Sequence, residues 1–450
     1  MSDSLVSSIA RIFIKSDEAK AGNALPARYS LDNAAIIMPP GINDVCTSLF
    51  HLSADMDAPV DVGRLQLALE RTAKRFPYID VELNRGFFWY HFSPATARLA
   101  IEPEPESPCL GFNPNRRHTR LYRVRARGNR IVLEMSHLVA DGKGGMRFIK
   151  TLVAEYCRLC GSPALEPHPD VYDVNEAPRA EEYEDAYVRY YRPGLPLPVM
   201  PEPAFRVQGE LLPRGDYRIT TGRFPVADIH QAAKARGATI MELMAAVYVD
   251  ALQTAYLETP AKLRKYHEIA VEIPIDMRRF HPTATNRNFT LFAIVGEDMR
   301  LGPRDFDSIL ERLKCRFRVE NDEPTIAQQI SRNVHGMNHP AVRAIPLPLK
   351  DIGAKILFSV LGEKYVSAVV TNLGAVDFPK GVAEHVTRFD LAQPPAVSTK
   401  ANVAIHSYDG VFYVTICSLL AERKMESLVF QRLEKLGITA ELECNLPERP

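Results

Sequence analysis

What the chain lacks most plainly is an excess of either charge. Across 450 residues Lys and Arg total 55 and Asp and Glu total 55, so the formal net charge is zero. Such a protein has no long-range field to draw in nucleic acid or an anionic membrane. Long apolar runs are missing too: even "ATIMELMAAVYVDAL" carries acids within it and falls short of a membrane span. The opening "MSDSLVSSIARIFIKSDEAK" has none of the basic, apolar, then small-residue layout of a secretion signal. Seven cysteines (Cys46, Cys109, Cys157, Cys160, Cys315, Cys417 and Cys444) are scattered and odd in number. That pattern argues against a disulfide framework and for reduced thiols in the cytoplasm. Cys157 and Cys160 form a lone C-x-x-C without a second ligand pair, so they read as ordinary helix thiols. Tryptophan occurs once, and no repeat or low-complexity tract is found.

What remains is an ordinary globular composition, 46% apolar and 24% charged. The length predicts two or three lobes at roughly 150 residues each. Helices and strands alternate. "DVGRLQLALERTAKRFP" predicts a helix capped by Asp61, with Leu65, Leu69, Thr72 and Phe76 near one face. "RLYRVRARGNRIVLEMSH" predicts a hairpin turning at Gly128-Asn129. "GGMRFIKTLVAEYCRL" has helical spacing. From Gly161 the chain turns rich in proline, acid and tyrosine. It reads as a crossover, with one short helix around "AEEYEDAYVRYY". A second half then begins: a long helix broken at Gly237, strands "EIAVEIPIDMRR" and "NRNFTLFAIVG", two helices around "FDSILERLKCRFRVEND" and "LKDIGAKILFSVLG", and the strand "YVSAVVTNLG". A hairpin at Asp409-Gly410 and a last helix stopping at Gly437 complete it. The expectation is an α/β protein with an N-terminal lobe at 1–160, a linker at 161–215 and a C-terminal lobe at 216–450.

The chemistry centres on "EMSHLVADGKGG". A hydrophobic strand closes on His137, and Asp141-Gly142 turn into a helix. A histidine there can take a proton from a hydroxyl, amine or thiol, an effect of about 10²–10⁴-fold when well placed. Gly142 is the residue expected to allow an unusual backbone. Asp141 either hydrogen-bonds the imidazole or braces the turn through a distant arginine, and the spacing allows both. The plain alternative is a satisfied strand-end histidine followed by a helix N-cap.

Three segments together resemble the CoA-dependent acyltransferase superfamily of the chloramphenicol-acetyltransferase fold, which includes alcohol acetyltransferases and condensation domains. "SHLVADG" resembles its H-x-x-x-D-G motif. "PIDMRRFHPTATNRNF" resembles the second-lobe segment whose arginine braces the motif aspartate. "TNLGAVDFP" resembles the Ser/Thr-Asn-Val/Leu-Gly element. The resemblance implies two lobes, each a mixed sheet with helices, around an active-site tunnel. It implies His137 as general base, Asp141 as a structural partner of Arg278, and Gly142 in the turn. Thr371 and Asn372 become oxyanion or substrate candidates, against a reading as a strand end leading into a Gly374 turn. Asn288 is implied to be structural. The implied activity moves an acyl group, acetyl foremost, from acyl-CoA as co-substrate to an alcohol, with no permanently bound cofactor. The alternatives are amide or ester formation from a carrier-protein thioester and a catalytically silent ligand-binding member. The double histidine of wax-ester synthases and the D-F-G-W-G element of plant acyltransferases are absent.

Other features suggest less. Seven arginines lie between Arg116 and Arg130 without an acid. Arg123, Arg125 and Arg127 share a strand face that reads as solvated, with coenzyme A phosphates as the sharper alternative. The aromatics Phe87, Phe88, Trp89 and Tyr90 read as sheet core. His406 in "HSYDG" reads as a hairpin residue. A metal at His137 and Asp141 lacks further ligands.

Overall fold

The computed structural model describes residues 27–44, 46–162, 166–199, 201–357, 364–396 and 398–446. The N-terminal segment read above for a secretion signal lies outside the described residues, as does the end of "LKDIGAKILFSVLG". The first half supplies β1 (Leu49–Met56), α1 (Val62–Arg75), β2 (Ile101–Pro103), the hairpin β3 (Tyr122–Arg127) and β4 (Arg130–Ser136), and α2 (Gly142–Leu159). The second half opens with β5 (Arg218–Pro225), α3 (Val226–Ala235), α4 (Ile240–Glu258), β6 (Glu268–Asp276) and β7 (Thr290–Asp298). It continues through α5 (Phe306–Glu320), α6 (Glu323–Asn338), β8 (Ala368–Ala375), β9 (Val386–Ala392), β10 (Ala401–Tyr408), β11 (Val411–Ser418), α7 (Lys424–Lys435) and β12 (Glu441–Cys444).

Local chemistry accounts for many of these boundaries. Asp61 accepts from the Arg64 N–H at 3.0 Å and starts α1, whose Leu65, Leu69 and Thr72 are buried. Gly128, at φ 60°, makes the β3–β4 turn. Gly237, at φ 57°, ends α3, and the reciprocal Thr239–Glu242 capping box starts α4.

Two mixed sheets result, beside a small antiparallel one of Tyr29–Ser30, Tyr90–Pro94 and Val81–Arg85. The first runs β9-β1-β4-β3-β2, the second β7-β6-β8-β10-β11-β5-β12. Helices α1 and α2 cover the first, and α4 packs on the second with α5 and α7. The expected boundary at 216 does not divide the sheets. Strand β9 comes from the second half yet pairs antiparallel with β1, Leu391 opposite Leu52. Phe378, Val382, Ala404, Tyr408 and Tyr413 likewise join the core of the first half.

Other expectations change. The 161–215 segment is not slack: Glu182 is buried with Arg75 in a two-bond pair at 2.7 and 2.8 Å. Two short helical pieces form there, Ala180–Glu182 and Ala186–Arg189. Helix α6 was not expected; Asp322 caps it, accepting from Thr325 N at 2.9 Å. Arg127 is exposed as expected, but Arg123 and Arg125 are largely withdrawn from solvent, because both reach the buried Glu134, the cross-strand partner of Arg123. Already neutralised, they offer nothing to a phosphate. Phe87 and Phe88 are exposed by 72% and 37% rather than packed in the sheet. Gly86 N–H to the Trp89 carbonyl at 2.9 Å closes a turn with these rings at its tip. His406 is a buried strand residue of the β10–β11 hairpin, its Nε2 2.8 Å from the Phe389 carbonyl.

Candidate functional site

His137 follows directly on β4, where the pairing with β1 ends. Its N–H donates to the Ser48 carbonyl at 2.9 Å. Its own carbonyl accepts from Asn288 Nδ2 at 2.7 Å. Both halves therefore fix the backbone of this one residue. The ring lies 4.8 Å from the Phe50 ring, centre to centre, and the residue as a whole is partly exposed. Burial lowers its pKa below the ordinary 6.5, while Asp141 and a hydrogen bond to the Ala140 backbone act the other way. The resting imidazole is neutral at pH 7. With one nitrogen donating, the other is left as an acceptor.

Asp141 makes no hydrogen bond to that ring among the described residues. Its carboxylate takes Arg278 Nη1 at 2.8 Å and Nη2 at 3.3 Å. It also accepts from Phe289 N at 2.9 Å, Thr290 Oγ1 at 3.1 Å and, as the N-cap of α2, Gly144 N at 3.1 Å. Burial would raise its pKa, but Arg278 and the backbone N–H groups outweigh that and hold it below the usual carboxylate value. Arg278 is as fully occupied. Nε donates to the Thr285 carbonyl at 3.0 Å, Nη2 to the Arg287 carbonyl at 2.7 Å and Nη1 to Asp276 at 2.9 Å. All five guanidinium donors have partners. The spacing left two roles open for Asp141, and the geometry places it on the arginine.

The β6–β7 connection supplies this brace. Besides Arg278 it carries Asn288, whose Nδ2 also donates to the buried Asp32 at 3.0 Å. Gly142 is not the strained glycine. It has no positive φ, and a Cβ there would meet only Leu373 Cδ1 at 3.4 Å. The demanding glycines are Gly144, where a Cβ would overlap the Asn286 carbonyl oxygen, and Gly145, where it would meet the Phe50 ring. Close approach of the second half's loop to the start of α2 needs Gly144, and packing of α2 on β1 needs Gly145. The "GKGG" spelling was the available signal.

Thr371 and Asn372 lie on β8 and point opposite ways. Ala368 and Val370 pack in the second half's core. Thr371 pairs with Ala404, a residue of the first half's core, so Val369, Thr371 and Leu373 face the first half. Thr371 Oγ1 donates to Gln393 at 2.6 Å. Asn372 is exposed, and its Oδ1 accepts from Gly374 N at 2.8 Å, with Gly374 at φ 80°. That is a turn residue. Two concavities stand out elsewhere, and neither includes His137. One of about 560 Å³ lies by Lys74 and Leu99. The other, about 370 Å³, is lined by Arg206, Lys265 and Lys364.

The sequence matches no protein-family model and no curated protein. Solved structures do resemble it. The trichothecene 15-O-acetyltransferase TRI3 of Fusarium sporotrichioides aligns over 92% of this chain and 96% of its own, with 13% identity and a TM-score of 0.57. The condensation domain of the monacolin K polyketide synthase MokA aligns over 92% and 97%, with 12% identity and a TM-score of 0.55. The nonribosomal peptide synthetase FmoA3 aligns over 93% of this chain at 16% identity and a TM-score of 0.56. This chain spans 44% of that synthetase. The chain has the chloramphenicol-acetyltransferase-like fold.

In this chloramphenicol-acetyltransferase-like chain, the sheet face that looks at the first half has two regions. Along β10 it is closed, with Ala404 and Tyr408 in the first half's core. Along β6 and β7 it is not: Pro274 and Ile294 are partly exposed and Phe292 is 44% exposed. Among the described residues, no helix is long and apolar enough to cross a membrane, and no cluster of side chains could hold a metal.

Proposed function

We propose that this protein is an acyltransferase, moving an acyl group from acyl-CoA to a hydroxyl acceptor with His137 as general base. The supporting observation is the division of labour at the motif. Asp141 is committed to Arg278, and both halves clamp the backbone of His137, a partly exposed residue whose ring stays neutral. A base held this way between two substrates turns a bimolecular attack into a positioned one. The imidazole takes the hydroxyl proton as that oxygen adds to the thioester carbonyl. The tetrahedral intermediate then collapses with C–S cleavage, and the departing thiolate recovers the proton from the imidazolium. Atoms and charge balance without an acyl-enzyme and without a resident cofactor. Of the two oxyanion candidates, Thr371 faces the first half but would have to turn its hydroxyl from Gln393, to which it donates at 2.6 Å. In Asn372 the turn engages the amide oxygen, which leaves Nδ2 as the donor.

Likeness to the MokA condensation domain favours a second donor, a carrier-protein thioester, for the same base. Free-thiol release from acetyl-CoA, measured beside a carrier-bound donor and against alcohols and amines, separates the two. His137→Ala should cut turnover by about 10²–10⁴-fold without lowering Tm. Near-normal turnover in that variant overturns the assignment.

A further inference from the structure

One ionisable side chain on the open part of this face has no role in the site described so far. Glu272 sits in the middle of β6, opposite Ile294 of β7 and beside Val369 of β8. Alternate residues Val271 and Ile273 fill the second half's core, so Glu272 and Pro274 share the other face. Through Val369 that face is continuous with Thr371, which looks at the first half. Among the described residues, nothing forms a hydrogen bond or ion pair with the Glu272 carboxyl. It stays partly exposed, yet loss of hydration alone pushes its pKa up to about 7, with no charged neighbour contributing. His137 shows the same combination of partial exposure and a burial-driven shift.

Position links the two. Glu272 precedes Asp276 by about 13 Å along the strand at ~3.3 Å per residue. Asp276 pairs with Thr290, whose hydroxyl donates to Asp141. Glu272 thus shares a strand with the brace of the motif, at a distance from the reacting centre. A desolvated carboxyl without a partner is a cost that the fold itself does not recover, and such groups concentrate at ligand sites.

We infer that Glu272 recognises the acceptor, receiving a protonated amine that the acceptor carries away from its reacting hydroxyl. This deepens the acyltransferase reading and rests on it. The walls beside Glu272 are apolar (Pro274, Ile294, Val369) and Phe292 offers a ring face, so the one thing missing is a countercharge. The anionic phosphates of coenzyme A cannot supply it, which assigns the group to the acceptor. The preferred substrate is an amino-alcohol with an apolar spacer.

The test uses the full chain, acetyl-CoA, and two acceptors of equal length, an aminoalkanol and the corresponding alkanol. The wild type should favour the aminoalkanol, and Glu272→Gln should reduce the ratio of the two kcat/KM values at least about tenfold. In parallel, an alkylamine should raise the Tm of the wild type but not of the variant. An unchanged ratio and an unchanged amine-induced shift overturn the inference. Turnover that ignores Glu272 leaves acyl transfer standing and removes the recognition role. An amine shift that depends on Glu272, without turnover of any acceptor, keeps the recognition role and removes acyl transfer. Should Glu272 serve only the fold, Glu272→Gln would lower Tm in the absence of ligand; it should instead hold or raise it.

Discussion

Asn288 donates one amide nitrogen to the His137 carbonyl at 2.7 Å and to the Asp32 carboxylate at 3.0 Å. The second half thereby grips the residue proposed as base by its backbone, leaving the imidazole free. Asn288→Ala removes both bonds in a buried setting, at about 1–3 kcal/mol for each acceptor left without a donor. Urea denaturation should show a loss of that order, and turnover should fall further than Tm alone explains. A variant with wild-type stability and turnover would show that the grip is dispensable.

The Asp141–Arg278 pair predicts strong coupling. Removing either partner strands a buried charge, at about 3–5 kcal/mol. Because the second change removes a charge already stranded by the first, Asp141→Asn with Arg278→Ala should cost well below the sum of the singles. A double-mutant cycle from denaturation curves measures this, and additivity would contradict the geometry.

The lowered pKa of His137 has a signed consequence for rate. A general base works deprotonated, so kcat/KM should rise with pH and level off with an inflection below 6.5, the ordinary histidine value. An inflection above 6.5 that disappears in His137→Ala would mean that the ring is protonated at rest. The same shift affects stability: a folded pKa below the unfolded one disfavours the native state as pH falls through the unfolded value.

The two glycines of the turn should separate. Gly142→Ala meets only a flexible Leu373 methyl and should change stability by no more than about 0.5 kcal/mol. Gly144→Ala drives a methyl into the Asn286 carbonyl, a backbone atom that cannot rotate away, and should exceed the ~1–3 kcal/mol of ordinary overpacking. Equal Tm losses in the two variants would count against the close approach.

Much of the architecture was legible because local rules determine it. Gly128, Gly237 and Gly410, all at positive φ, mark turns or helix ends that the spelling announced. His137 was found for the same reason, as a polar residue ending an apolar strand. What stayed hidden depends on partners far away in the chain. Glu134 looked like part of the motif strand, and only β3–β4 register shows that it neutralises Arg123. Gly144 looked like a helix residue until the Asn286 loop lay against it. Glu272 alternates correctly in an amphipathic strand, so nothing in "EIAVEIPID" distinguishes a solvated carboxylate from one left without a partner on the face toward the first half. Strand β9 was not among the elements expected, since its place is set by tertiary pairing with β1.

That strand has a mechanical consequence. Because β9 is hydrogen-bonded to β1 while the chain on either side of it belongs to the other sheet, the halves cannot drift apart as tethered bodies. Widening would also have to break the hold of the β6–β7 connection on His137 and Asp141, so the halves are fastened at two separate places.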